Sequence, residues 1–279
     1  MNFKMRRFNR DFIKLQFIQI FTLTEKNLKL RLRFKYQIII SFIRPVISII
    51  MPLIILGKFF DLNAEFGSWN ENTFVVFQFI AYQIFLIRIL INEFPTQIVR
   101  EKYWKTIQAL IIAPLNRYNL LLGIFLSHMI LISIPMVFFF IICYIVYPIS
   151  LLTFLSVIII FFLIALIFSA IGLFLGVFAI TNENIWKILG FVLSIIILLS
   201  CITYPYEIFP DFIQQIINLN PLYYLFDLLR FVWIEDHLLI SILTHPIDIV
   251  ILFTLAITLP IISVYIFNKV YQKFGIVGY

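Results

Sequence analysis

The chain has 279 residues, of which 63% are hydrophobic, 18% aromatic and 13% charged, with a formal net charge of +7 and a mean hydropathy of +1.06. Ordinary soluble domains carry about 25% charged residues, so a soluble globular protein is excluded and an all-α integral membrane protein is indicated. The basic excess, 21 Lys/Arg against 14 Asp/Glu, orients loops across a bilayer and makes no dispersed surface for a duplex; the expected partner is lipid, with no nucleic acid.

In chain order, residues 1–41 come first, with ten Lys/Arg within residues 1–35 against Asp11 and Glu25. No small-residue cleavage site follows a compact apolar run, so this region reads as mature protein. Thr22-Leu-Thr-Glu25 fits a capping box, and Leu28, Leu30, Leu32 and Phe34 then alternate with Lys29, Arg31, Arg33 and Lys35. That pattern predicts a basic amphipathic helix lying in the inner interface. Phe8, Phe12, Ile13, Phe17, Ile20 and Phe21 among further basic residues allow the interfacial region to begin earlier.

At about 20 apolar residues per helical crossing, residues 42–268 divide into six spans, at about 42–60, 73–93, 119–147, 151–180, 187–204 and 246–268. The third and fourth stretches run to about 45 Å at helical rise against a hydrocarbon core of about 30 Å. They must tilt or break, and Pro135, Gly172 and Gly176 are where a break is expected. Gly172 and Gly176 also form a small-xxx-small pair that would admit a neighbouring helix closely.

Loop charge decides orientation. Residues 94–117 hold Arg100, Lys102, Lys105 and Arg117 against Glu101, and the tail, 269–279, adds Lys269 and Lys273. Residues 57–72 and 203–245 hold Lys58 and Arg230 against Asp61, Glu65, Glu71, Glu207, Asp211, Asp227, Glu235 and Asp236. The positive-inside rule therefore predicts both termini in the cytoplasm of a cell-membrane protein.

Catalytic signatures are missing from the sequence. None of the eight glycines opens a phosphate loop, and His128, His237 and His245 have no metal-ligand spacing, so no metal or cofactor is expected on this chain. Cys143 and Cys201 lie inside apolar runs and read as buried thiols. Charged residues within spans are costly and mark protein-facing or water-facing sites. Arg44 beside Pro45 reads as a snorkelling residue near the inner end of the first span. Arg88 and Glu93, with Asn92 between them, read as a polar cluster that fixes packing or lines a translocation path.

Two segments stand out. The loop from Glu101 to Arg117 carries Trp104, Ile107, Leu110 and Ile111 at helical spacing until Pro114 stops it. It predicts a short amphipathic helix suited to docking on the cytoplasmic face. Residues 200–230 carry Pro205, Pro210 and Pro221 in an apolar stretch, which divides it into pieces too short to span. Short re-entrant or surface helices are expected there, forming an aromatic outer collar.

These segments resemble the membrane-spanning subunit of ABC-2 type exporters. In that family the loop after the second span runs E-x-x-x-G-T-L-E-x-L-x-x-x-P-L, matched in register by Glu101, Thr106, Leu110, Pro114 and Leu115. Lys105 replaces the glycine and Gln108 the second acid. The outer pattern S-G-x-x-x-P-x-x-x-x-P, followed by N-P-L-x-Y and an arginine, is matched by Ser200, Pro205, Pro210, Asn220, Pro221, Tyr224 and Arg230, with Cys201 where glycine is usual.

The resemblance implies a permease subunit, not itself an enzyme, with six transmembrane helices, an N-terminal interfacial helix, a cytoplasmic coupling helix and short extracellular re-entrant helices. It implies a dimer with a second copy or a related permease, driven by separate ABC ATPase subunits that hold ATP and Mg. Glu101, Trp104, Thr106, Leu110, Pro114 and Arg117 would couple to the ATPase, and Tyr204, Pro205, Glu207, Pro210, Asn220, Pro221 and Arg230 would build the extracellular segment. The cargo expected is a drug-like, lipid-like or other amphiphilic molecule, with a polysaccharide or glycolipid as the alternative. A secondary transporter or channel without an ATPase is the competing class; the spans carry no ladder of acids or histidines for proton coupling, which weakens it.

Overall fold

A computed structural model describes the backbone of residues 2–61, 69, 71–104, 117–181, 183–236, 241 and 243–276. Helices run over Asn2–Leu32 (α1), Lys35–Asp61 (α2), Glu71–Tyr103 (α3), Arg117–Val146 (α4), Leu151–Thr181 (α5) and Glu183–Leu198 (α6). A 3-10 turn at Tyr206–Ile208, two short helices Asp211–Ile217 (α7) and Pro221–Glu235 (α8), and the long helix Pro246–Ile276 (α9) follow.

Among the described residues, five helices are long and apolar enough to cross a bilayer: Ile38–Lys58, Thr73–Glu101, Tyr118–Val146, Leu151–Ala179 and Pro246–Val270. The sixth expected crossing, 187–204, is a helix of 16 residues, about 24 Å long and so short of a full core.

Burial explains the arrangement. In α3, 72% of the crossing is buried within the protein, against 18% in α2 and 17% in α9. The chain is therefore built around α3, with α5 its principal neighbour, α2 on one flank, and α6 and α9 against α5. Gly172 is the reason α5 comes so near: a Cβ there would lie 2.7 Å from the Ile91 carbonyl oxygen and 2.8 Å from that of Leu90. Gly176 sits against Ile98 in the same seam. The glycine pair is thus a packing device, as its spacing predicts.

Two expectations need correction. Helices α4 and α5 run unbroken through Pro135, Gly172 and Gly176; in a packed bundle neighbouring helices hold the geometry that these residues would otherwise disturb. Thr22 does not cap a helix. It lies inside α1, where its hydroxyl donates to the Ile18 carbonyl at 2.8 Å, Thr24 does the same to Ile20, and Glu25 pairs with Lys29. Threonine can satisfy itself by bonding back one turn, so the box pattern lost to the helix-forming run before it. Of the arrangements expected after α6, dipping back or lying along the surface, the short helix α8 packs into the core with Phe226, Leu229, Arg230 and Trp233 buried.

Helix α1 shows how one sequence serves two surroundings. Leu23, Thr24 and Asn27 are buried, with Leu23 against Gly123 of α4, and Asn119 of α4 donates to Gln16 and Gln19. On another face Phe17, Ile18 and Phe21 are exposed.

Candidate functional site

The end of the bundle that carries α1 brings Lys26, Arg31, Glu93, Glu101 and His128 together. Glu93 projects from α3 into a buried contact with the Arg31 guanidinium of α1, and His128 of α4 approaches the same carboxylate, Nε2 to Oε2, at 2.8 Å. The other ring nitrogen, Nδ1, lies 2.7 Å from the Ile124 carbonyl oxygen, to which it can only donate. With Nδ1 so engaged, Nε2 is the ring atom that lies against the Glu93 carboxylate.

Two turns along α3, Glu101 is buried and accepts from Lys26 of α1 at 3.1 Å and from Gln97 at 2.9 Å. One helix thus supplies two cations to two carboxylates on α3. Burial, followed by the like charge of Arg100, lowers the Arg31 pKa to about 10, which still leaves it charged at neutral pH.

Beside this network is a cavity of about 610 Å³, bounded by Arg31, Arg44, Arg88 and Arg100, with Glu93 the acid of its wall. Arg88 and Glu93 therefore share one lining. The sequence pointed to both but not to Arg31 and His128 as their neighbours. The available signal was the presence of single intramembrane charges on separate helices, which need partners from elsewhere.

Of the expected coupling residues, Glu101 faces α1, and Trp104 is exposed with the Arg100 guanidinium 5.8 Å above its ring. Thr106, Leu110 and Pro114 lie outside the described residues, as does the Arg117 side chain.

The opposite end is organised by Asn220. Its side chain caps α8 by accepting from Leu222 N at 3.1 Å, and its amide donates to the Ile196 carbonyl at 2.7 Å and to Ser200 Oγ at 2.9 Å. Pro221 follows at the first helical position, where a missing N–H costs nothing. Cys201 has φ of 52°, a left-handed conformation that glycine adopts freely, which accounts for the residue usual in the resembled motif. Both cysteines are buried and free.

Arg230 is buried, donates to the Ile202 carbonyl and lies 3.6 Å over the Phe77 ring. Burial first, and the nearby Cys201, Tyr223 and acidic groups in the opposite sense, set its pKa at about 10. Pro205 and Pro210 precede the 3-10 turn and α7. The half-exposed Tyr204 is separate from Tyr206, which stacks on Tyr223 and receives a 3.0 Å bond from Asn218. Burial raises the pKa of both Glu207 and Asp227. Asn220 thus holds Ser200 at the end of α6 and Arg230 holds the Ile202 carbonyl just beyond it, while Glu207 is not bonded to these side chains among the described residues.

A chain of long apolar helices around one buried helix, with a polar knot at one end and a charged network at the other, has the features of a multi-pass membrane transporter. No curated protein matches it. A family model, ABC-2 type transporter, matches residues 18–233, from within α1 to within α8. The match spans well over half of the 279 residues and takes in both the charged network and the Asn220 knot, and so the chain belongs to the ABC-2 type transporter family.

Proposed function

We propose that this chain is the membrane-spanning subunit of an ABC exporter, pairing with a second copy or a related permease to enclose a translocation path. Separate ATPase subunits, holding ATP and Mg, dock on the cytoplasmic loop from Arg100 to Arg117. Both termini are cytoplasmic, α6 and its continuation complete a sixth crossing, and the cargo is a drug-like, lipid-like or other amphiphilic molecule. The family supplies a permease component without a nucleotide-binding domain of its own.

The observation that carries this reading is the double attachment of α1 to α3 through Arg31–Glu93 and Lys26–Glu101. The second pair lies at the start of the docking loop, so a push on that loop reaches α1 and α3 together, as a lever for alternating access requires. The exposed apolar face of α2, including Ile43, Ile47, Met51 and Ile54, supports a partner or lipid on that side.

The test is a mild-detergent purification of the chain from its native membrane, with identification of co-purifying proteins and an ATPase assay. A phosphate-loop ATPase is expected, lost on replacing Trp104 and Pro114 by Ala. A clean oligomer without an ATPase, whose transport follows an ion gradient after ATP depletion, would overturn the proposal in favour of a secondary transporter.

A further inference from the structure

The cavity beside Glu93 is more cationic than the network next to it requires. Arg31 reaches it from the end of α1, Arg44 from α2, and Arg88 and Arg100 from α3. Glu93 is already engaged by Arg31 and His128. Arg44 and Arg88 have no ion-pair partner among the described residues. Cations at membrane depth are expensive unless something neutralises them, so two of them on one wall point to an anion that arrives from outside the chain.

The rest of the wall says what kind of anion. Phe34, Ile38, Ile40, Phe85 and Ile89 line the same space, so a fully hydrated inorganic ion would meet hydrocarbon over much of its surroundings. Arg88 and Arg100 are twelve positions apart on one helix, about 18 Å, so the cationic lining descends well into a core of about 30 Å. At the α2 side, Phe34, Ile40 and Arg44 are exposed, which leaves access from the lipid rather than from within the bundle. A planar guanidinium can hold two phosphate oxygens at once, a geometry suited to a phosphate ester.

We propose that this cavity binds the phosphate-bearing headgroup of an anionic amphiphile drawn from the surrounding leaflet, with Arg44 and Arg88 contacting the phosphate and the Phe34–Phe85 wall contacting the chain. That such a molecule is also the cargo rests on the transporter function proposed above; the binding itself needs neither ATP nor an ATPase.

The full-length protein, with whatever co-purifies, is exchanged into neutral micelles doped with phosphatidylglycerol or phosphatidylcholine, and bound lipid is counted by native mass spectrometry. Phosphatidylglycerol is expected to exceed phosphatidylcholine by about tenfold, and Arg44→Gln with Arg88→Gln should remove that preference. Arg44→Lys with Arg88→Lys, which keeps the charge, should retain most of it. Inorganic phosphate is the third arm and should not displace the lipid. Equal retention of the two lipids by the unaltered protein overturns the site whether or not the Gln variant folds. Displacement by inorganic phosphate overturns the amphiphile in favour of a free anion. Because no nucleotide is present, failure here leaves the ATPase purification standing, and the reverse also holds.

Discussion

Lys26 of α1 and Glu101 of α3, 75 positions apart in the chain, meet at 3.1 Å, and this pair changes how the family motif is to be tested. Glu101 faces α1, so Glu101→Ala alters the seat of that helix as well as any docking surface. Lys26→Ala should reproduce the effect of Glu101→Ala on ATPase coupling if the carboxylate works through α1. An effect confined to Glu101→Ala would instead assign it to docking, and steady-state ATPase rates of the assembled transporter, with and without cargo, distinguish the two.

Glu93 holds a buried cation from α1 and lies against His128. Glu93→Ala leaves Arg31 without its counter-charge, a loss of about 3 kcal/mol by the usual cost of breaking a buried pair. His128→Leu should cost less than Glu93→Ala, because the Arg31 contact survives. Thermal unfolding in one detergent orders the two variants, with retention of α1 followed by limited proteolysis.

Gly172 and Gly190 give a matched pair of substitutions. Gly172→Ala drives a methyl into two carbonyl oxygens of α3, whereas a Cβ at Gly190 meets nothing within 4 Å. The first should destabilise by roughly 1–3 kcal/mol and the second should be neutral or slightly stabilising. Folded yield and melting temperature of the two purified variants are the measurement.

At Cys201 the left-handed backbone sets the order of tolerance. Cys201→Gly should be nearly neutral, losing a small buried side chain while relieving φ. Cys201→Val should destabilise by roughly 2 kcal/mol, since a branched Cβ fits that conformation worst. Unfolding midpoints of the two variants, measured side by side, should differ in that sense.

Burial raises the carboxyl pKa of Asp227 above its ordinary 3.8, and the nearby Arg230 opposes this only in part. The folded state therefore holds its proton to higher pH than the unfolded chain does. The stabilisation is complete below pH of about 4 and declines as pH rises through the folded value. Melting temperature should fall on that limb, and Asp227→Asn should flatten the fall. Tyr223, which donates to Asp227 at 3.0 Å, should remain bonded in both forms.

Composition made the membrane and the helices legible, because about 20 apolar residues can do little else than cross as a helix. The glycine pair and both buried cysteines were equally plain. The start of α1 was misread because a Thr-x-x-Glu pattern is also compatible with a helix already under way, in which each threonine bonds back one turn. The neighbours of His128 were not legible because Glu93 is on α3, and no periodicity within α4 announces it. Ser200, Asn220 and Arg230 were found through a motif, but the bond from Asn220 to Ser200 and that from Arg230 to the Ile202 carbonyl are three-dimensional facts that spacing does not contain.

The approach of α5 to the bare carbonyls of Leu90 and Ile91 has a mechanical consequence. At Gly172 the two helices touch backbone to backbone, with no flexible side chain between them to absorb sliding, so α3 and α5 are stiffly coupled there. A push that reaches α3 would therefore carry α5 with it, whereas α2, with 18% of its crossing buried against 72% in α3, is held by far less buried surface.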